Sequence, residues 1–313
     1  MEKIKRTKQK VISIVGTTAS GKSSLAIKLA KLINGEIISA DSRQVYCGYD
    51  IATAKATQEE MNGIKHYLID VLQPDEDFSA GIFVEMAKKA ITEISQKGKI
   101  PILVGGTGMY LKMLLDGIDM PKGEPNQELR KELEKIFAEK GQDYLYNMLI
   151  QLDSDFAKNI HPNDVYKVMR SIEILKQTNT SMTQSRGKKE SDYDVLKIAL
   201  TASDRQIIYE KINNRVDIMI NNGLLEEALK HYKKNPLSKT FNSTIGYQEF
   251  VPYFNHEIDL NTVITKIKQN TRRYAKRQLT WFRAQENINW LYIDTLSSKE
   301  IEEKALELCE AFI

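Results

Sequence analysis

Eight residues restrict what this chain can fold into more than any others: Gly16, Thr17, Thr18, Ala19, Ser20, Gly21, Lys22 and Ser23, a G-x-x-x-x-G-K-S run. The run follows an apolar, β-branched stretch at 11–15 and opens a pattern at 22–33 in which Leu25, Leu29 and Leu32 share one helical face. A strand that turns through glycines into a helix aims backbone N–H groups at phosphate oxygens, and the helix amino terminus adds partial positive charge. Lys22 would neutralise those oxygens, and the Ser23 hydroxyl can reach a magnesium ion. A glycine-rich turn without a ligand is the bland alternative, and the strand-and-helix context argues against it.

Further β-type runs at 36–39, 67–69 and 100–104 alternate with a helical pattern at 81–96 carrying Ile82, Met86, Ala90 and Ile94. Alternation of this kind predicts an α/β fold, a P-loop NTPase-like doubly wound parallel sheet, whose right-handed crossovers set all strand carboxyl ends on one edge. From 121 to 194 the strand signal vanishes. Helix-forming segments at 127–140 and 164–177 replace it, punctuated by Gly123, Pro125, Gly141 and Pro162. A strand resumes at 195–200, followed by helical patterns at 204–221, 224–233, 260–284 and 298–312, with a short strand possible at 290–293. The expected organisation is a catalytic core of 1–120 and 195–313, a helical insertion domain at 121–194 and a helical C-terminal region.

Net charge is only +3, so affinity for a polyanion must come from local clusters of Lys and Arg. One cluster is plain: 260–285 holds no acidic residue, yet Lys266, Lys268, Arg272, Arg273, Lys276, Arg277 and Arg283 fall there. Tyr274, Trp281 and Phe282 interleave with that charge, either as stacking surfaces for bases or as core. Cys47 and Cys309 have no metal-type spacing and read as free thiols, and no apolar run reaches membrane-spanning length. A cytoplasmic protein without a membrane role is expected.

Nucleotide kinases and NTPases usually close a buried strand with an acid that helps to hold magnesium. Here the strand at 100–104 runs instead into Gly105, Gly106, Thr107, Gly108, Met109 and Tyr110. The acid stands at the end of the second strand, as Asp41. If both strands flank the phosphate-loop strand, Asp41 and Thr107 meet at the phosphate edge, where a carboxylate could serve as a general base. A turn-forming or helix-capping role for Asp41 is the other reading.

Nine blocks carry a resemblance: GTTASGKS at 16–23, ADSRQVY at 40–46, DIATAK at 50–55, HYLID at 66–70, GGTGMY at 105–110, HPNDVYKVMR at 161–170, INNRVDIMINNGLLEEA at 212–228, TIGYQE at 244–249 and TRRYAKRQLTWFR at 271–283. In this order they resemble the bacterial-type tRNA dimethylallyltransferases, also called tRNA isopentenyltransferases, over nearly the whole chain. The resemblance implies transfer of a dimethylallyl group from dimethylallyl diphosphate to N6 of the adenine 3′ of the anticodon in tRNA. It assigns Asp41 as general base and has Thr107 help to position the amine or the bridging oxygen. Residues 16–23 would hold the diphosphate, with Mg2+ on Ser23, and Arg205 and Arg215 would contact it; the family's loop is also described as nucleotide- or ATP-binding.

By the same resemblance the anticodon stem-loop would meet Asp41, Ser42, Arg43, Gln44, Thr107 and Arg130. It would also meet Tyr166, Lys167, Val168, Met169 and Arg170, then Ser243, Thr244, Ile245, Gly246, Tyr247 and Gln248. The last set is Lys276, Arg277, Gln278, Leu279, Thr280, Trp281, Phe282 and Arg283. A monomer is expected. The chain departs from the family's usual pattern at Thr17, at Ala52 and in the run TFNST at 240–244. The competing expectations are a small-molecule kinase, an adenylate isopentenyltransferase acting on a free nucleotide, and a phosphate-loop protein that binds nucleic acid without catalysis.

Overall fold

A computed structural model describes residues 8–117, 126–178 and 191–313. The chain divides into two compact units, one of Met1–Leu115 with Ser191–Ile313 and one of Asp116–Glu190.

The first unit is built on six parallel strands in the order β3-β2-β4-β1-β5-β6. They are β1 (Gln9–Gly16), β2 (Gly35–Ser39), β3 (His66–Tyr67), β4 (Ile100–Val104), β5 (Tyr193–Thr201) and β6 (Ile288–Tyr292). The main helices along the whole chain are α1 (Lys22–Leu32), α2 (Ala80–Gln96), α3 (Gly108–Leu115), α4 (Gln127–Leu152), α5 (Val165–Thr178), α6 (Arg205–Asn221), α7 (Leu224–Lys234), α8 (Leu260–Arg283) and α9 (Ser298–Phe312). Strand side chains alternate between two apolar layers, as the two-residue period requires. Ile12, Ile14, Ile102, Val104 and Ile198 pack against α1 and α9, while Val11, Val15, Ile38, Leu103 and Ala199 pack against α2 and α3. Each such buried side chain contributes about 1.5–3 kcal/mol. Helix starts are fixed locally: Asp259 caps α8 through the Thr262 N–H at 2.8 Å, and Ser297 with Glu300 forms a capping box on α9.

Several boundaries differ from the sequence expectation. The strand expected at 67–69 is only His66–Tyr67, because Leu68 (φ 62) and Asp70 (φ 54) turn left-handed. The last strand begins earlier, at Ile288. Gly108–Leu115 forms a helix that the preceding glycines concealed, although Tyr110, Leu111, Leu114 and Leu115 supply its buried face. β2 does not flank β1, since β4 lies between them.

The second unit is helical where it is described. The helix expected to stop at Lys140 breaks at Gly141 (φ 78, ψ 178) and resumes at once, so that α4 reaches Leu152. Leu133, Leu145, Leu149, Phe156, Ile172 and Leu175 form its core. Gly123, Pro125 and the basic first seven residues lie outside the described residues.

Candidate active site

β1 and β4 are neighbours, with Ile14 opposite Val104, yet α1 leaves to one face of the sheet and α3 to the other. A crevice therefore opens beyond their carboxyl ends, the place where doubly wound sheets receive ligands. The loop 16–23 enters it from β1 and the loop 105–107 from β4.

The first loop depends on its glycines. Gly16 sits at φ 131, and a Cβ there would lie 2.1 Å from the Leu200 carbonyl oxygen. Gly21 (φ 90) caps α1 without a side chain, so the first-turn N–H groups remain free for an anion. Inside the loop the Thr17 carbonyl accepts hydrogen bonds from Ser20 Oγ at 2.8 Å and Lys22 Nζ at 2.5 Å. Burial, aided by the positive charge of Arg215 and opposed by Asp41, pushes the Lys22 ammonium down to about 7. Burial also lowers the Arg215 guanidinium, against the pull of Asp41 and Glu60.

Of the two arginines expected at the diphosphate, Arg215 lies near enough to the loop for its charge to act on Lys22. Arg205 is exposed at the first residue of α6, about 15 Å along the axis from Arg215, and makes no hydrogen bond or ion pair among the described residues.

Asp41 follows β2 in a turn of its own making: Oδ1 accepts the N–H groups of Arg43 at 2.8 Å and Gln44 at 3.4 Å. The turn-forming reading of this residue is thus met by Oδ1, while Oδ2 has no hydrogen-bond partner among the described residues. Thr107 reaches the same place through the backbone: its N–H donates to the Ala40 carbonyl at 3.4 Å, and the Ala40 N–H donates to Val104 at 2.8 Å. A Cβ on Gly105 would stand 2.2 Å from that Ala40 oxygen, so only glycine permits the approach. The Thr107 and Thr17 hydroxyls are buried and, among the described residues, meet no partner in hydrogen-bonding geometry, the Tyr274 hydroxyl standing beside that of Thr107. Buried polar atoms left open in this way point to a ligand that fills them.

α8 closes the crevice. Gln278, 5% exposed, accepts the Thr18 N–H at 2.8 Å and donates to the Gly106 carbonyl at 3.2 Å. Tyr274, one turn earlier, brings its hydroxyl near Thr107 and Gln278; burial first and the Asp41 charge second push it up to about 12, so it remains protonated. Sequence reasoning offered Tyr274 only as a stacking or core aromatic. Its i, i+4 relation to Gln278 was the available signal.

The exposed side of α8 is basic. Lys276, Arg277, Thr280, Trp281 and Arg283 are exposed, and Lys112 of α3 joins Arg273, Lys276, Arg277 and Trp281 around a groove. Trp281 packs over Gly108, where a Cβ would lie 2.1 Å from the indole. Leu279 is partly covered and Phe282 lies in the core.

Among the remaining expected RNA contacts, Arg43 donates to the Ser243 carbonyl and hydroxyl at 3.3 and 3.0 Å, and Gln44 is bonded to Ser39 and Thr53. Ser42, Ile245 and Gln248 are partly exposed and Ser243 is exposed. Thr244 and Tyr247 are buried, and Gly246 (φ 98) is fixed by Glu249, which accepts its N–H at 2.8 Å.

Within the helical unit, Tyr166 and Lys167 are exposed, Met169 and Arg170 are partly so, and Val168 faces the core. Arg130 and Arg170 share one buried carboxylate, Glu173, at 3.1 and 2.7 Å, and Glu173 also accepts the Asn126 N–H at 2.7 Å. This shared carboxylate was not among the sequence expectations.

The fit to magnesium rests on donor chemistry. Ser23 offers an exposed hydroxyl oxygen in the first turn of α1, and among the described residues no group of three or more His, Cys, Asp or Glu gathers elsewhere. That suits an ion that keeps mostly water and phosphate oxygens.

Comparison with known proteins yields a consistent set. A family profile described as IPP transferase matches residues 44–285. A tRNA dimethylallyltransferase of Halothermothrix orenii is 45% identical over 307 residues, covering 97% of this chain and 93% of that protein. One from Bacillus anthracis is 43% identical over 285 residues, 90% of each. The crystal structure of a tRNA isopentenylpyrophosphate transferase from Bacillus halodurans superposes with a TM-score of 0.74 at 38% identity, covering 97% of this chain and 96% of that one. A eukaryotic dimethylallyltransferase acting on tRNA superposes with a TM-score of 0.83 at 29% identity, covering 97% and 79%.

Proposed function

Because this chain belongs to the IPP transferase family, we propose that it transfers a dimethylallyl group from dimethylallyl diphosphate to N6 of the adenine 3′ of the anticodon in tRNA, releasing diphosphate. The observation that carries this reading is the meeting of a phosphate cradle, a half-free carboxylate and an orphan hydroxyl at one sheet edge, in 16–23, Asp41 and Thr107.

The loop 16–23 grips the diphosphate through its backbone N–H groups, with Lys22 and Arg215 supplying positive charge. The adenine amine attacks the allylic carbon. As the N–C bond forms, the C–O bond to diphosphate breaks and its electron pair leaves with the diphosphate. Asp41 takes the amine proton on Oδ2 while Oδ1 stays fixed by the turn. The Thr107 hydroxyl orients the amine or the bridging oxygen. A magnesium ion on Ser23, when bound, offsets charge that develops on the leaving oxygens. The strand-end acid that kinases use is missing after β4, and Asp41 is placed for a nucleophile instead.

The basic face of α8 supplies phosphate contacts for the stem-loop, together with Arg43 and Ser243. In the helical unit Arg130, Tyr166, Lys167 and Arg170 offer further ones. The target adenine must leave its stack for the amine to reach Asp41. All named groups come from one chain, so a monomer suffices. No helix among the described residues is long and apolar enough to cross a membrane. The unpaired thiols Cys47 and Cys309 suit the reducing cytoplasm, where tRNA is met.

The test is incubation with magnesium, labelled dimethylallyl diphosphate and either unmodified anticodon stem-loop RNA or AMP. Prenylated RNA alone supports the reading. Prenylated AMP alone would assign the chain to free-nucleotide chemistry, and transfer to neither would refute a prenyltransferase.

A further inference from the structure

Gln278 is the one residue of the basic α8 segment whose amide is wholly committed inward. Its Oε1 accepts the Thr18 N–H at 2.8 Å and its Nε2 donates to the Gly106 carbonyl at 3.2 Å. The orientation is fixed by these partners, since a flipped amide would set donor against donor and acceptor against acceptor. Gly106 makes room for it: a Cβ there would lie 1.9 Å from Nε2.

In a phosphate cradle an inward backbone N–H is a ligand, and the Thr18 N–H is already taken. The amide oxygen that takes it presents lone pairs to any phosphate oxygen approaching from that side. The side matters. Lys22 and Ser23 keep free N–H groups at the helix end of the loop, while Thr18 lies at the strand end, joined through Gln278 to the segment that carries Thr107. With Asp41 as the base, the allylic carbon must sit at that strand end. A nucleoside triphosphate gripped by the same two phosphoryl positions would send its third phosphoryl group there.

We infer that Gln278 is a specificity-determining residue that withdraws the Thr18 N–H from the cradle, so that the loop accepts a diphosphate and rejects a third phosphoryl group. The inference rests on the proposed diphosphate role of 16–23. It gives a physical reason why a loop of NTPase type would hold a prenyl diphosphate in preference to ATP: the position beyond the second phosphoryl group offers no spare donor, which suits an uncharged allyl chain.

The experiment is calorimetric titration of the full chain with magnesium pyrophosphate and magnesium tripolyphosphate. The wild type is expected to bind pyrophosphate more tightly, despite the greater charge of tripolyphosphate. Gln278→Ala frees the donor and is expected to shift the ratio at least tenfold toward tripolyphosphate, the scale of one charge-assisted hydrogen bond. Gln278→Leu keeps most of the bulk and removes the acceptor, so it should shift the ratio the same way, and it carries the test if the alanine variant does not fold. Equal binding of the two anions by the wild type would overturn the inference. So would an unchanged ratio in Gln278→Ala or Gln278→Leu. Lys22→Met separates the premise: if it leaves pyrophosphate affinity intact, the diphosphate reading of the loop fails and the inference falls with it.

Discussion

Lys22 lies partly buried where α1 begins, and burial with the nearby charge of Arg215 holds its ammonium down at about 7, Asp41 pulling the other way. At pH 8 a group of that kind is about nine-tenths neutral. A bound diphosphate places several negative charges beside Nζ and restores the ammonium. Binding is therefore expected to take up about 0.9 proton at Lys22 at pH 8, about 0.5 at pH 7 and about 0.1 at pH 6. Calorimetry of pyrophosphate binding in buffers of different ionisation enthalpy measures that uptake, and Lys22→Arg, which keeps a cation that does not titrate in this range, subtracts the protons of the anion itself. A difference between wild type and variant that stays near zero from pH 6 to 8.5 would refute the reasoning.

The stability sign follows from the same displacement. The folded value lies below the unfolded one of 10.5, so between about 7 and 10.5 the unfolded chain holds the extra proton and stability rises with pH. Lys22→Met should accordingly melt higher than the wild type at pH 6, with the advantage fading as the pH rises toward 10. An advantage that grew with pH would contradict the assigned cause.

Asp41→Asn keeps a turn-forming acceptor but removes the base. It should lower kcat by about 10²- to 10⁴-fold while stem-loop affinity holds, read by single-turnover prenylation beside a binding titration. Gly106→Ala forces a Cβ into the Gln278 amide and should lower both Tm and pyrophosphate affinity, whereas Gly98→Ala, with φ 67 but open space around it, should lower Tm alone. Replacing Lys276 and Arg277 by alanine should weaken RNA binding and flatten its salt dependence by about 0.7–0.9 in log–log slope per lost phosphate contact, without altering pyrophosphate affinity. Burial alone would raise the Glu173 carboxyl, but hydrogen bonds from Arg170, the Asn126 N–H and Arg130 hold it below its ordinary value. Its contribution is thus present above that ordinary value and lost as the pH falls through the folded one, so the helical unit of the wild type should loosen in acid. Glu173→Ala should cost about 1.5–3 kcal/mol, the scale of hydrogen bonds to a charged group, since the two part-exposed arginines it releases regain water, measured by denaturant unfolding at neutral pH.

What could be read from the sequence was what depends on neighbours along the chain. The loop 16–23 is specified within eight residues, because its glycines, Lys22 and Ser23 act through local backbone geometry. The two- and 3.6-residue periods announced the parallel sheet and most helices, since one buried face imposes each period. Asp41 stood out because an acid closing a β-type run is a local feature too. Local rules failed where distant contacts decide the backbone: Leu68 turns left-handed although its neighbourhood reads as strand, and α4 continues past Gly141 because its second segment has a core to pack on.

The site was legible as a set of residues and not as an arrangement. β4 separates β2 from β1, and Ala40 bonds to both Val104 and Thr107, so Asp41 and Thr107 meet from neighbouring strands while the phosphate loop enters from beyond β4. Gln278, expected among the RNA contacts, reaches Thr18, 260 residues away, while Tyr274 turns toward Thr107 from the same face. The sequence by itself determined that a phosphate loop, a strand-end carboxylate and a basic helix would exist, because each is made by residues close in the chain. Only the tertiary structure decided which N–H groups of the loop remain free and which face of the helix is basic, because burial leaves each polar group to whichever distant partner satisfies it.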